Sequence, residues 1–142
     1  MKALTFKLII PLTIILFGSI TKWWSVIIVD GPDDIMIGFP FPFVSSGLHT
    51  SMSLRLFLLE LFIDFHIYFI ILFSLTFCIN RFLIKIKPNK LVIIGLYGMA
   101  MFYIIGGSFL VSNPNNLFYP KRDFDVKILD TGFKFTWQHK ER

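Results

Sequence analysis

Glu60, Asp64 and His66 lie within seven residues of one another in an otherwise apolar stretch, and they concentrate the acid–base side chains of this chain. Carboxyls and an imidazole can pass protons or hold a cation. On a helix, at about 100° per residue, Glu60 and Asp64 share a face with Ser53, Tyr68, Ser74 and Cys78. His66 turns instead toward Phe62, Ile70 and Phe73. Two carboxylates one helical turn apart repel, so a proton or cation held between them is the chemistry this pair offers. Acids inside a membrane span are costly and tend to be functional. The competing reading is structural. It has Glu60 at the polar surface or paired with Lys22 and His66 in a packing role, whereas Asp64, one turn deeper, fits it less well.

Other chemistry finds little support. Cys78 is the only cysteine, so no intrachain disulfide or CxxC motif exists. There is no His-x-x-x-His, no phosphate-cradling glycine loop and no Gly-x-Ser-x-Gly. We therefore expect no catalytic residue, no metal and no cofactor.

The residues that must hold the acids are apolar. Of 142 residues, 55% are hydrophobic and 16% charged, against about 25% charged in a typical soluble domain. The charges gather at the N-terminus, around 81–90 and after 120. The runs between them read as membrane spans at about 8–29, 54–80 and 91–112. The first, with Lys2 and Lys7 ahead of it, also resembles a signal peptide, but no small-x-small cleavage site follows its apolar run, so an uncleaved anchor is expected. Trp23 and Trp24 then mark an interface, near which Lys22 reaches outward. The second span exceeds the hydrocarbon thickness, so its outer turns, with Arg55 and Glu60, are expected among headgroups. Asn113-Pro114 ends the third. Gly95, Gly98 and Gly106 share one of its faces and suit close helix packing.

Six Lys and Arg residues occupy the N-terminus and the 81–90 loop, and none lies between Asp30 and Ser53. The positive-inside rule then places the N-terminus and 81–90 in the cytoplasm, with loop 30–53 and the tail outside. The net charge of +5 is explained by this flanking and gives no reason to expect nucleic acid. Usage rich in Ile, Phe and Lys suggests an AT-rich bacterial genome, and hence the cytoplasmic (inner) membrane.

Two apolar segments lie outside the spans. Gly38-Phe-Pro-Phe-Pro-Phe43 is extended by its prolines. Its Phe39, Phe41 and Phe43 read either as a docking or lid element or as an interfacial turn. In the tail, period-2 alternation on both sides of Asp130-Thr131-Gly132 reads as a β-hairpin. Its apolar face would carry Phe124, Val126, Ile128, Phe133, Phe135 and Trp137.

The sequence thus predicts an all-α membrane protein: a region of three transmembrane helices over 1–113, then an extramembrane tail, 114–142, with a short C-terminal β-hairpin. The expected partners are the lipid bilayer and either another membrane protein or further copies of this chain. A non-enzymatic accessory or assembly subunit of a membrane complex is the favoured function. The alternatives are a small oligomeric transporter or channel using the acids of the second span, and a membrane-embedded enzyme acting on a lipid or quinone.

Overall fold

The computed structural model describes residues 4–29, 33–47 and 53–135, apart from the side chains of 134 and 135. Among them are three helices and six strands, so the fold is mixed α/β and the all-α expectation is overturned. Helix α1 (Ile10–Ser19) follows a π-helical turn, Thr5–Ile9. Helix α2 (Leu58–Cys78) runs into a second π-helical turn, Ile79–Leu83, and α3 spans Lys90–Val111. The strands are β1 (Ile20–Ile28), β2 (Asp33–Ile37), β3 (Val44–Ser46), β4 (Leu54–Phe57), β5 (Leu117–Tyr119) and β6 (Val126–Phe135). Two compact units result, Met1–Gly18 with Phe65–Phe109 and Ser19–Asp64 with Leu110–Arg142.

The expected first span fails at its middle. Helix gives way to strand between Ser19 and Ile20, where the sequence turns to Ile-Thr-Lys-Trp-Trp-Ser-Val-Ile-Ile. β-branched and aromatic residues favour a pleated, half-buried surface, and mean apolarity alone does not separate such a strand from a helix. The helical part, Thr5–Ser19, is shorter than the roughly 20 residues a crossing needs, and two helices, Leu58–Leu83 and Lys90–Val111, are long and apolar enough to span a membrane. The second expected span loses its first residues in the same way, because Leu54–Phe57 pairs as β4.

The tail is not a hairpin either. Val126–Phe135 is one strand, antiparallel to β1 along its whole length, with Ile28 opposite Val126 and Ile20 opposite Phe135. The register shifts where Ser25 faces Asp130 and Val26 faces Ile128, leaving Leu129 as the extra residue of a β-bulge. Gly132 makes no turn. It faces Trp23, and a Cβ there would come within 2.9 Å of the indole ring.

The sheet order is β5-β4-β3-β2-β1-β6. Neighbours are antiparallel except β4 and β5, which are parallel. Parallel strands need a long crossover, and here the α2–α3 segment supplies it. Strands β5 and β6 occupy opposite edges, yet only residues 120–125 join them. That strap passes over a core of Val26, Met36 and Phe57, with Phe124 against Phe57 at 5.7 Å between ring centroids. Trp24, Tyr119 and Val126 complete the cluster.

In the other unit, the phenyl ring of Phe17 meets Phe65 and Tyr68 edge-on, and Gly18 lies against the ring of Tyr103. The expected glycine face of α3 has no such role among the described residues. Nothing lies within 4 Å of a Cβ built at Gly95, Gly98 or Gly106.

Candidate functional site

Glu60 and Asp64 sit on the first two turns of α2, and each meets a loop of the sheet unit. Asp64 is fully buried, and its two carboxylate oxygens accept the Phe41 amide at 3.1 and 3.3 Å. The Phe39 backbone also serves this carboxyl. Those amides belong to the turn between β2 and β3, whose conformation explains why it needs an outside acceptor. Gly38 has φ of 153°, and a Cβ on it would collide with the Phe41 carbonyl. The Phe39–Pro40 peptide is cis. Pro40 and Pro42 carry no N–H. The Gly38 amide donates to Lys22 O at 2.9 Å and the Phe43 amide to Ile37 O at 3.0 Å, which completes the turn's donors. On the acceptor side, Gly38 O takes the Trp24 indole N–H at 2.8 Å.

Glu60 does the same for the strap. Its Oε1 accepts the Arg122 amide at 3.2 Å, and the neighbouring Leu59 amide donates to Pro120 O at 3.0 Å. Its Oε2 is buried without a hydrogen-bond partner. The strap's far end is held where the Val29 amide donates to Asp125 O at 3.2 Å. The two acids therefore clamp two loops, one helical turn apart.

His66 does not join them. It is exposed on α2, whereas Asp64 is buried. The expected polar stripe also dissolves. Ser53 lies outside the helix, Ser74 and Cys78 are exposed, and the covered row of α2 continues from Asp64 through Leu72 and Thr76. Lys22 does not pair with Glu60. Its ammonium lies over the Trp24 ring at 4.0 Å and faces the Phe133 ring at 5.8 Å.

The aromatic residues expected to offer partner or interface surface differ in placement. Phe124 enters the core. Phe133 is exposed and meets Phe39 edge-on at 5.0 Å. Phe41 is about half exposed, and Phe43 is partly covered. The side chain of Phe135 and all of Trp137 lie outside the described residues.

Two polar anchors were not expected. Arg55, assigned from sequence to the headgroups, lies buried in β4 and pairs with Asp34 of β2 at 3.3 Å. Its Nε donates to Ser46 O of β3 at 3.0 Å, and its guanidinium faces the Phe124 ring at 5.6 Å. The Ser46 hydroxyl in turn donates to Asp34. The signal available was the alternation in Leu54-Arg55-Leu56, which marks a strand, but nothing there names the partner. Asn116 is the other anchor. Its amide nitrogen donates to the last carbonyls of α3, Leu110 O at 2.8 Å and Val111 O at 3.2 Å, and its Oδ1 accepts the Leu54 amide at 3.0 Å. Asparagine at a helix end is a capping signal, and Asn113-Pro114-Asn115-Asn116 carries it.

Among the described residues no group of three or more His, Cys, Asp or Glu converges in a metal-holding arrangement. Chemically, the arrangement uses carboxylates as fixed acceptors for loop amides. No known protein family, curated protein or solved structure matches the chain.

Proposed function

We propose that this protein is a non-enzymatic accessory or assembly subunit of a membrane complex, in which α2 and α3 form a two-helix membrane anchor carrying an extramembrane sheet. The uncovered apolar surface of those helices carries the reading. Phe102 and Phe109 of α3 are 75% and 82% exposed, and Ile70, Ile94 and Ile105 are open as well. A long apolar helix in a soluble core is covered by its own chain. Contiguous apolar surface on this scale marks a lipid or protein partner. Arg81, Lys85, Lys87 and Lys90 lie between the two helices, which favours that loop in the cytoplasm and the sheet outside a bacterial inner membrane.

The engagement of Glu60 and Asp64 with loop amides supports a scaffold over a transporter, channel, or lipid or quinone enzyme, each of which would need those groups free to take up a proton or a cation. The open glycines of α3 offer a face for a neighbouring helix. The test is purification from native membranes in mild detergent, after an alkaline carbonate wash, with mass spectrometry of the whole eluate. Retention in the washed membrane together with stoichiometric partner proteins is the expected result. Release by carbonate would remove the anchor, and a pure homo-oligomer would favour the transport alternative.

A further inference from the structure

We infer that the Phe39–Phe43 turn, with Phe133 beside it, is a wedge that enters the interfacial layer of the bilayer holding α2. The inference rests on the two-helix anchor proposed above and adds a depth and a set of lipid-contacting residues to it.

The depth comes from Asp64. Arg81 fixes the polar boundary at one end of the apolar segment Leu58–Leu83. At 1.5 Å per residue, a hydrocarbon core of about 30 Å takes roughly 20 residues. Counting back from Arg81 puts the opposite boundary near Leu61. Asp64 therefore lies about one turn inside it, and helical side chains lean toward the N-terminus, which returns the carboxylate to the boundary. The Phe41 amide is 3.1 Å from that carboxylate. The turn is thus held at the level where hydrocarbon meets headgroups.

Its chemistry fits that level. Backbone at the headgroup boundary must find partners for its polar groups in the protein or in interfacial water, and here the N–H donors are met within the protein. The amides of Gly38, Phe41 and Phe43 all have partners, and Pro40 and Pro42 have none to satisfy. The exposed side chains are aromatic, Phe41 at 48% and Phe133 at 64%. Lys22, over the Trp24 ring, sets a cation beside the aromatic group, the combination that meets phosphates at a lipid interface. The same pairing explains an otherwise costly feature. A buried carboxylate at the edge of an apolar layer is tolerated because the inserted turn supplies its donors.

The experiment is nitroxide depth measurement on the full chain in phosphatidylethanolamine–phosphatidylglycerol vesicles, with Cys78→Ser as background. Labels go at Phe41→Cys and, separately, Phe133→Cys. Ile105→Cys on α3 reports the hydrocarbon, and Lys127→Cys on β6 reports water. Expected are oxygen-dominated relaxation at 41, 133 and 105, and accessibility to a water-soluble nickel chelate at 127. If 41 and 133 match 127 while 105 stays oxygen-dominated, the wedge is overturned and the anchor stands. If 105 also matches 127, the anchor itself is wrong and the wedge falls with it. Because Phe41 and Phe133 are solvent-exposed in the chain alone, either label leaves the packed core untouched, and agreement between the two excludes a local artefact.

Discussion

Asp64 acts here as an acceptor, so what matters is oxygen at the right place more than charge. Asp64→Asn keeps one carbonyl oxygen for the Phe41 and Phe39 amides, whereas Asp64→Leu leaves both without their acceptor, at a cost of about 1–3 kcal/mol each. In thermal unfolding with detergent, Asn is expected to fall close to the parent and Leu well below it. Equal losses would mean that the charge itself is required, as a proton or cation site would demand. Arg55 behaves differently because both partners are charged and buried. Arg55→Met leaves the Asp34 charge with only the Ser46 hydroxyl and the Ile35 amide as donors and should cost about 3–5 kcal/mol, while Arg55→Met with Asp34→Leu should recover much of the loss. A double-mutant cycle on unfolding midpoints checks it, and additive losses would show that the pair is not coupled. The legibility of these two sites differs for a physical reason. Acids in an apolar run stand out by their cost of burial, so Glu60 and Asp64 were visible from sequence. Their partners are backbone amides, which every residue but proline has, so the role as loop clamps was not. Arg55 and Asp34 are 21 positions apart and meet only through strand pairing, which a one-dimensional pattern does not display.

At the level of the elements, glycine plays two different parts. Gly132 after Asp130-Thr131 has the composition of a turn, but the structure uses it to let β6 pass the Trp23 indole. Gly132→Ala should therefore destabilise by about 1–3 kcal/mol through overpacking. In contrast, Gly98→Ala on α3 meets nothing within 4 Å and should be neutral or stabilising by up to about 1 kcal/mol, the difference in helix propensity. The pair is read in one melting series, and a tolerated Gly132→Ala would show that close packing against the Trp23 indole does not require glycine there. The helix expected as the third span is legible almost to the residue, 91–112 against Lys90–Val111, because one apolar run coincides with one helix and Asn113-Pro114 stops it. The first was not, because α1 and β1 join without a polar break. Hydropathy sees a single run there, and only the change to β-branched and tryptophan residues at Ile20 marks the switch. Strand β6 was found as alternation on both sides of Gly132. Its continuity depends on β1, far away in sequence, against which the bulge at Leu129 absorbs the mismatch.

For the whole molecule, the connectivity ties the anchor to the sheet. Strand β4 leads directly into α2, α3 returns to β5, and β4 and β5 are parallel neighbours with Arg55 opposite Leu117 and Phe57 opposite Tyr119. Asn116 joins the α3 terminus to the first amide of β4. In the proposed arrangement both ends of the helix pair therefore emerge on the same side, and the basic 81–90 loop lies alone on the other. That geometry requires an even number of crossings between β4 and β5, independent of where α1 resides. It makes a definite prediction in intact cells. With Cys78→Ser as background, Lys127→Cys on β6 should react with a membrane-impermeant maleimide once it has passed the outer envelope. Lys87→Cys should react only after the inner membrane is permeabilised. The reverse pattern would invert the orientation and set the positive-inside argument aside. Reaction of both without permeabilisation would show that no barrier separates them, and the apolar faces of α2 and α3 would then have to be covered by protein instead of lipid.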